Sequence, residues 1–148
     1  MHQNDLQKLD EIYRRTIYVV EDETSAATFR VGQPSADLGK ILRERNTTEW
    51  AFITPYNPYS TLLSASENKQ RQARLIEELK KRNLAFLRGC GIGDHWQSEP
   101  SLLILGITFK AALEIGRLFE QNAIIVGNQI TLMPELIWCF EQNLKDKN

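Results

Sequence analysis

Two glutamates stand where predicted secondary-structure elements begin, and both could take part in chemistry. Glu67 and Glu99 could act as an acid–base pair, or as hard oxygen ligands for a cation such as magnesium. Glu67 has a structural alternative, because Ser64 and Glu67 form the capping-box pattern that satisfies free amides at a helix start. Glu99 precedes Pro100 at the mouth of an apolar stretch, where a structural role is less obvious. These two glutamates are the candidate catalytic residues.

Side-chain amides form a second group, because each offers a hydrogen-bond donor and an acceptor together. That pairing suits recognition of a base edge or a carboxamide. Trp96 lies in a polar loop, and we expect it to stack on a ligand or cover it. Structural alternatives exist, since Asn57-Pro58 opens a turn and Asn122 is placed to end a helix in a left-handed conformation. The predicted ligand-binding residues, which we call the rim residues, are Asn57, Asn68, Trp96, Glu99, Ser101, Gln121 and Asn122.

The other chemistry-bearing motifs are weaker. The glycine-rich stretch 89–93 lacks the strand-to-helix context and the Lys-Ser/Thr ending of a phosphate loop. Cys90 lies within it near His95, and a nucleophilic Cys–His pair would need spatial proof. Arg71 or Arg88 could supply charge for an anionic ligand. No cysteine–histidine zinc pattern is present, so the sequence assigns no metal site and identifies no cofactor.

Apolar patterns predict the elements that must position these residues. Between Trp50 and Val126 the order is strand, helix, strand, strand, helix, strand, which is typical of a ferredoxin-like split βαβ fold. We therefore predict an α+β fold with a ferredoxin-like βαββαβ core, an N-terminal β-hairpin and flanking helices. The predicted strands are 16–20, 28–31, 50–54, 84–87, 101–107, 123–126 and 129–132, the last two joined by a turn at Gly127-Asn128. The predicted helices are a short one from Asn4 or Asp5, one from Pro34, 67–82, 109–121, and one from Pro134 that carries Ile137, Phe140 and Leu144.

The predicted topology brings the candidate residues to one end of the sheet. Strand 50–54 should lie between strands 101–107 and 123–126 and run antiparallel to both. Its C-terminal end then shares one edge with the loop 89–100, with the start of one helix and with the end of the other. Polar residues gathered beside an apolar sheet are a common way to build a site from loops. The sequence therefore predicts a polar pocket at this edge, with Trp96 on its wall. Strands that are apolar along their whole length also predict that both faces of the sheet are covered.

Several short motifs occur in order along the chain. They are Thr54-Pro-Tyr-Asn57-Pro58, Ser66-Glu67-Asn68, Gly89, Trp96, Glu99-Pro100-Ser101 and Phe119-x-Gln121-Asn122-Ala123. In combination they resemble the signature of domain-of-unknown-function family 3293, a family of uncharacterised bacterial proteins, over residues 13–132. Tyr56 departs from that signature, where the resemblance implies Trp more often. The resemblance strengthens the choice of residues and implies no activity.

Composition limits the classes of function. Lys and Arg total 18 against 19 Asp and Glu, and a net charge of −1 argues against a nucleic-acid binder or a polybasic membrane anchor. Neither a signal-peptide pattern nor an apolar run of membrane-spanning length is present in the sequence. The length of 148 residues, without a repeat or a long linker, predicts a single domain over residues 1–148. Without a signal-peptide pattern we expect it to be cytoplasmic, with its two cysteines reduced.

Three functions stay open at this point. The leading one is a small-ligand-binding or regulatory domain with its polar pocket among the rim residues, and a small molecule as its partner. The second is a small hydrolase or transferase that uses Glu99 and Glu67 as an acid–base pair or as metal ligands. The third is a structural or protein-interaction module in which the rim residues brace loops. A homo-oligomer is compatible with all three, and the sequence does not identify the ligand.

Overall fold

The computed structural model describes residues 3–93, 98–128, 130 and 133–140, and it has a mixed α+β fold. Over this part of the chain the helices are α1 (Gln3–Arg15), α2 (Ala36–Glu44), α3 (Ala65–Lys81) and α4 (Phe109–Leu118), with a 3-10 turn at Pro58–Ser60. The strands are β1 (Ile17–Glu21), β2 (Ala26–Phe29), β3 (Glu49–Ile53), β4 (Phe86–Ile92), β5 (Pro100–Leu105), β6 (Ala123–Asn128) and β7 (Glu135–Trp138).

The seven strands form one curled antiparallel sheet in the order β2-β1-β4-β5-β3-β6-β7. The predicted central position of β3 is confirmed. Trp50 pairs with Leu105 of β5 on one side and with Gly127 of β6 on the other, antiparallel in both cases. The predicted N-terminal hairpin is also confirmed, since Tyr18 of β1 pairs with Phe29 of β2.

Apolar side chains pack on both faces of the sheet, as the uniformly apolar strands predict. On one face, α3 and α4 bury Leu75, Leu79, Leu113 and Ile115 against β3, β5 and β6. On the other face, α2 buries Leu38, Ile41 and Leu42, and Tyr13 of α1 packs against the same cluster. Successive strand residues alternate between the two clusters, as in Ile53 and Phe52. The sheet therefore positions its edge loops between two layers of helices.

Two helix caps explain where α3 and α4 begin. The Ser64 hydroxyl accepts a hydrogen bond from the Glu67 amide, and the Glu67 carboxylate accepts from the Ser64 amide, so the predicted capping box is confirmed. The Thr108 hydroxyl caps α4 in the same way by accepting from the Ala111 amide. Both caps fix the helix starts relative to the preceding loops.

The predicted C-terminal helix is wrong over the described residues. Glu135–Trp138 is strand β7, and it extends the sheet by pairing Trp138 with Ala123 and Ile137 with Ile124. The predicted turn at Gly127-Asn128 is also wrong, because both residues belong to β6. A Cβ atom at Gly127 would lie 2.6 Å from the Trp50 ring, so this glycine serves close packing rather than a turn. Of the predicted strand 129–132, residues 129, 131 and 132 lie outside the described residues.

Strand β4 runs further than the predicted strand 84–87. It continues through Gly89 and Gly91 to Ile92 and pairs with β1, so the predicted loop 89–100 is shorter. A Cβ atom at Gly89 would lie 2.4 Å from the carbonyl oxygen of Val19 and 2.8 Å from the Phe52 ring. Glycine is required there because the neighbouring strand and an aromatic ring approach the backbone closely.

No helix in the described part of the chain has both the length and the apolar character needed to cross a bilayer.

Candidate functional site

Asn57 is the centre of the polar network that the structure forms at the predicted edge of the sheet. Its side-chain nitrogen donates to Glu99 Oε2 over 2.7 Å. Its side-chain oxygen accepts from Asn68 Nδ2 over 2.9 Å and from the Leu63 amide over 3.0 Å, while its own amide donates to Asn68 Oδ1. Asn57 therefore contacts two other rim residues from separate segments of the chain, Asn68 and Glu99.

The segment that Asn57 opens has an unusual backbone. Asn57, Tyr59 and Ser60 all have positive φ angles, of 49°, 49° and 63°. Residues other than glycine rarely adopt this left-handed region, and a bulky side chain such as that of Tyr59 is especially disfavoured there. We call residues 55–63 the rim loop. Its conformation must be held by contacts from outside the loop.

The other two amides of the rim supply such contacts. Gln121 Nε2 donates to the carbonyl oxygen of Tyr56 over 3.1 Å. Asn122 Nδ2 donates to Ser60 Oγ over 2.9 Å. The structural alternative that placed Asn122 in a left-handed helix cap is wrong, because α4 ends earlier and Glu120 is the residue with a positive φ, of 57°. Gln121 and Asn122 thus both bind the rim loop.

Arg71 is a further brace of the rim loop that the sequence did not single out as structural. Its guanidinium donates to the carbonyl oxygens of Pro55 and Phe119 and forms an ion pair of 3.4 Å with Glu120. The side chain is only 10% exposed. Because the guanidinium is engaged with two carbonyls and a carboxylate, it serves to join β3, α3 and α4. In the sequence, a basic residue on a helix is typical of a solvated face, so Arg71 was considered only as a possible charge for an anionic ligand and not as a brace.

Glu99 lies half-buried beside this network. Burial raises the pKa of the Glu99 carboxyl group above its ordinary value of 4.5, and the hydrogen bond from Asn57 opposes that rise. Burial is the main cause that raises the pKa of the Tyr13 and Tyr18 phenols, and the charge of Glu99 raises both pKa values further. Both phenols therefore lie within electrostatic reach of Glu99. In the sequence, Tyr13 recurs at helical spacing with Leu6, Leu9 and Ile12, which is typical of an apolar stripe and does not reveal that the phenol lies near Glu99.

Ser101 and Glu67 form hydrogen bonds outside the network of Asn57. The buried Ser101 hydroxyl donates to the backbone carbonyl of Glu99 over 3.0 Å, which supports the main chain next to the carboxylate. The exposed Glu67 carboxylate binds the Ser64 hydroxyl over 2.9 Å, in addition to its cap contact. Among the described residues, no hydrogen bond joins Glu67 to Glu99. Trp96 lies outside the described residues, so its place on a pocket wall stays a prediction.

Other features of the described residues bear on what the site could hold. No group of three or more His, Cys, Asp and Glu side chains is arranged there to hold a metal ion. Two surface concavities lie elsewhere, one between β2 and the start of α2, the other between α1 and Trp138. Neither concavity is lined by a rim residue, so neither is the pocket that the sequence predicts beside Glu99.

No curated protein and no solved structure matches this chain. A family model does match, over residues 53–124, which is narrower than the range of 13–132 over which the motifs were compared. The matched range contains Asn57, Asn68, Glu99, Gln121 and Asn122, and therefore the whole described network. The resemblance drawn from the motifs is confirmed: the segment that carries this site matches the model of the family described as protein of unknown function (DUF3293).

Proposed function

We propose that this protein binds a small molecule at the rim, with Glu99 as the group that recognises it. The observation that carries the proposal is the half-buried Glu99 carboxylate, whose only hydrogen-bond partner in the described part of the chain is Asn57. An ionised carboxylate accepts several hydrogen bonds, and a desolvated one gains most from them. A ligand that donates N–H or O–H groups would satisfy the remaining acceptor sites.

The other rim residues have supporting parts in this proposal. Asn57 and Asn68 hold Glu99 in place, and Ser101 steadies its backbone. Gln121 and Asn122 border the ligand through the rim loop that they bind. Trp96, three residues before Glu99, would form the wall against which a planar ligand packs. A fixed carboxylate next to an ordered loop binds with little loss of conformational entropy.

The proposal is tested with small ammonium and guanidinium compounds as probes. Ethanolamine, propane-1,3-diamine and methylguanidine are titrated into the protein, and the thermal midpoint and the NMR shifts of rim amides are followed. We expect at least one probe to stabilise the wild type and to lose its effect in Glu99→Gln. Glu77→Gln is the control, since Glu77 is an exposed glutamate on α3. If no probe stabilises the wild type, or if Glu99→Gln responds equally, the proposal is wrong.

A second candidate function is a small hydrolase or transferase in which Glu99 acts as a general acid. The observation that favours it is the raised pKa of the Glu99 carboxyl, since general acids need to keep their proton near neutral pH. Glu67 fits the role of second carboxylate less well, because it serves the capping box. Turnover of 4-nitrophenyl esters or phosphates that disappears in Glu99→Gln, while a thermal scan shows that the variant is folded, would establish this function. A rise of the wild-type midpoint with Mg²⁺ would favour the metal-ligand version.

We also propose that β3, α3, β4, β5, α4 and β6 constitute a ferredoxin-like core. The strand order β4-β5-β3-β6, with antiparallel neighbours and with α3 and α4 on one face, supports this assignment. In this proposal the chain is a single cytoplasmic domain over residues 1–148. The two cysteines, Cys90 and Cys139, are both free, which fits a reducing compartment.

A further inference from the structure

The rim loop displays apolar side chains to solvent. Tyr59 is 57% exposed and Leu62 is 83% exposed, so neither contributes much buried surface to the fold. The backbone at Tyr59 and Ser60 is also held in the left-handed region, which is unfavourable for these residues. Solvent exposure of apolar groups and backbone strain both raise the free energy of the isolated chain. A partner that covers these side chains would offset that cost.

The loop is nonetheless fixed from outside. The Tyr59 amide donates to the carbonyl oxygen of Glu120 over 2.7 Å, and Ser60 Oγ accepts from Asn122. Asn57 closes the loop by accepting from the Leu63 amide. A surface that is ordered before binding loses less conformational entropy when a partner docks.

The bond between Tyr59 and Glu120 places the loop beside the C-terminal end of α4. Leu118, at that end, is 51% exposed. The next residue, Phe119, is buried. The guanidinium carbon of the exposed residue Arg74 lies 5.5 Å from the centroid of the Phe119 ring. In the described residues Arg74 has no ion-pair partner. The rim loop, the end of α4 to which it is bonded and the facing part of α3 therefore carry three exposed apolar side chains and a cation without an ion-pair partner among the described residues, which we call the loop surface: Tyr59, Leu62, Leu118 and Arg74.

We propose that the loop surface docks a peptide segment of another protein that carries apolar side chains and a carboxylate. The apolar side chains would cover Tyr59, Leu62 and Leu118, and the carboxylate would pair with Arg74, whose planar guanidinium is suited to bidentate binding. Tyr and Arg are also residue types that dominate binding energy in protein interfaces. This surface does not include Glu99, the group that recognises the small molecule in the first proposal, so the two proposals are tested with different substitutions.

The test uses a display library of random dodecapeptides selected against the full chain. We expect the enriched peptides to combine aromatic or aliphatic residues with Asp or Glu. Binding of a synthetic selected peptide should weaken at least 10-fold in Leu62→Ser and in Arg74→Gln. Both side chains are exposed, so these variants should fold. Ile130→Ser is the matched control, because Ile130 is 92% exposed and follows the opposite end of β6.

The outcomes separate this proposal from its alternatives. Retention of binding in Ile130→Ser, with loss in Leu62→Ser and Arg74→Gln, supports it. Enriched peptides that bind all three variants equally would overturn it, as would the absence of any enriched peptide. A concentration-dependent dimer in sedimentation that Leu62→Ser dissociates would also overturn it, because the surface would then be covered by a second copy of this chain.

Discussion

Asn57 and Glu99 are 42 residues apart in the sequence, and one hydrogen bond of 2.7 Å joins their side chains. The bond connects the loop after β3 to the start of β5. It also gives a desolvated carboxylate a donor that is itself fixed by Asn68 and by the Leu63 amide. Several consequences of this arrangement can be measured.

Replacing Glu99 with Gln should change stability in a pH-dependent way. The pKa of Glu99 is raised in the folded chain, so the ionised form is disfavoured relative to the unfolded chain, and stability is lost as pH rises above 4.5. Glutamine resembles the protonated carboxyl group. We expect Glu99→Gln to match the wild type in strongly acidic solution and to gain thermal stability relative to it as pH approaches neutrality. A stability difference that is constant with pH, or that changes in the opposite direction, would contradict this.

Asn68→Ala should destabilise the fold and loosen the rim loop. The substitution removes the acceptor for the Asn57 amide and the donor to Asn57 Oδ1, both at a buried position. We expect a loss of about 1–3 kcal/mol in the free energy of unfolding in urea, with faster hydrogen exchange at residues 57–63. Gln70→Ala, at an exposed position of the same helix, should leave both quantities near the wild-type values. Equal behaviour of the two variants would show that the network does not hold the loop.

Arg71→Lys should lower the free energy of unfolding although it keeps the positive charge. A lysine ammonium cannot reproduce the fork of donors that reaches Pro55, Phe119 and Glu120 from one planar group. Carbonyl oxygens left without donors in a buried place should cost about 1–3 kcal/mol in urea unfolding. Arg74→Lys is the matched control on the solvent side of the same helix, and we expect it to change stability little. A tolerated Arg71→Lys would argue against the brace.

The two cysteines should react very differently in the native chain. Burial raises the pKa of the Cys139 thiol to about 12, although the nearby charge of Arg117 opposes the rise, so thiolate is scarce at neutral pH. Cys90 is half-buried on β4. Mass spectrometry after iodoacetamide treatment should find label on Cys90 alone in native protein, and on both cysteines in urea. Native labelling of Cys139 at the rate of Cys90 would contradict its burial.

The order and pairing of the central strands followed from the sequence because β3 and β5 are apolar along their length and the order of strands and helices is typical of a split βαβ fold. The sequence predicts a loop at Gly89 and a turn at Gly127, because glycine is common both in turns and where the backbone packs closely. Only the neighbouring rings of Phe52 and Trp50 show that both glycines serve close packing. Segment 135–138 has no alternation that distinguishes a strand from a helix. It becomes a strand because β6 offers an edge to pair with.

The candidate site, like the fold, was predictable from the sequence in part. Polar residues near the ends of strands and helices converge once the topology is right, and Asn57 does contact both Asn68 and Glu99. The direction of each hydrogen bond was not predictable, because an amide bonds equally well to a ligand or to a loop backbone. The role of Arg71 depends on carbonyl oxygens contributed by two other elements, so it could not be read from its own helix.

The most direct test of the central claim is the pKa of Glu99, measured by carbon-detected NMR titration of its carboxyl group. The claim is that Glu99 is a desolvated carboxylate held by Asn57. It predicts a pKa in the native chain above that of the same residue in urea, and a further rise in Asn57→Ala, where the stabilising donor is lost. A native pKa at or below the value in urea would contradict the claim.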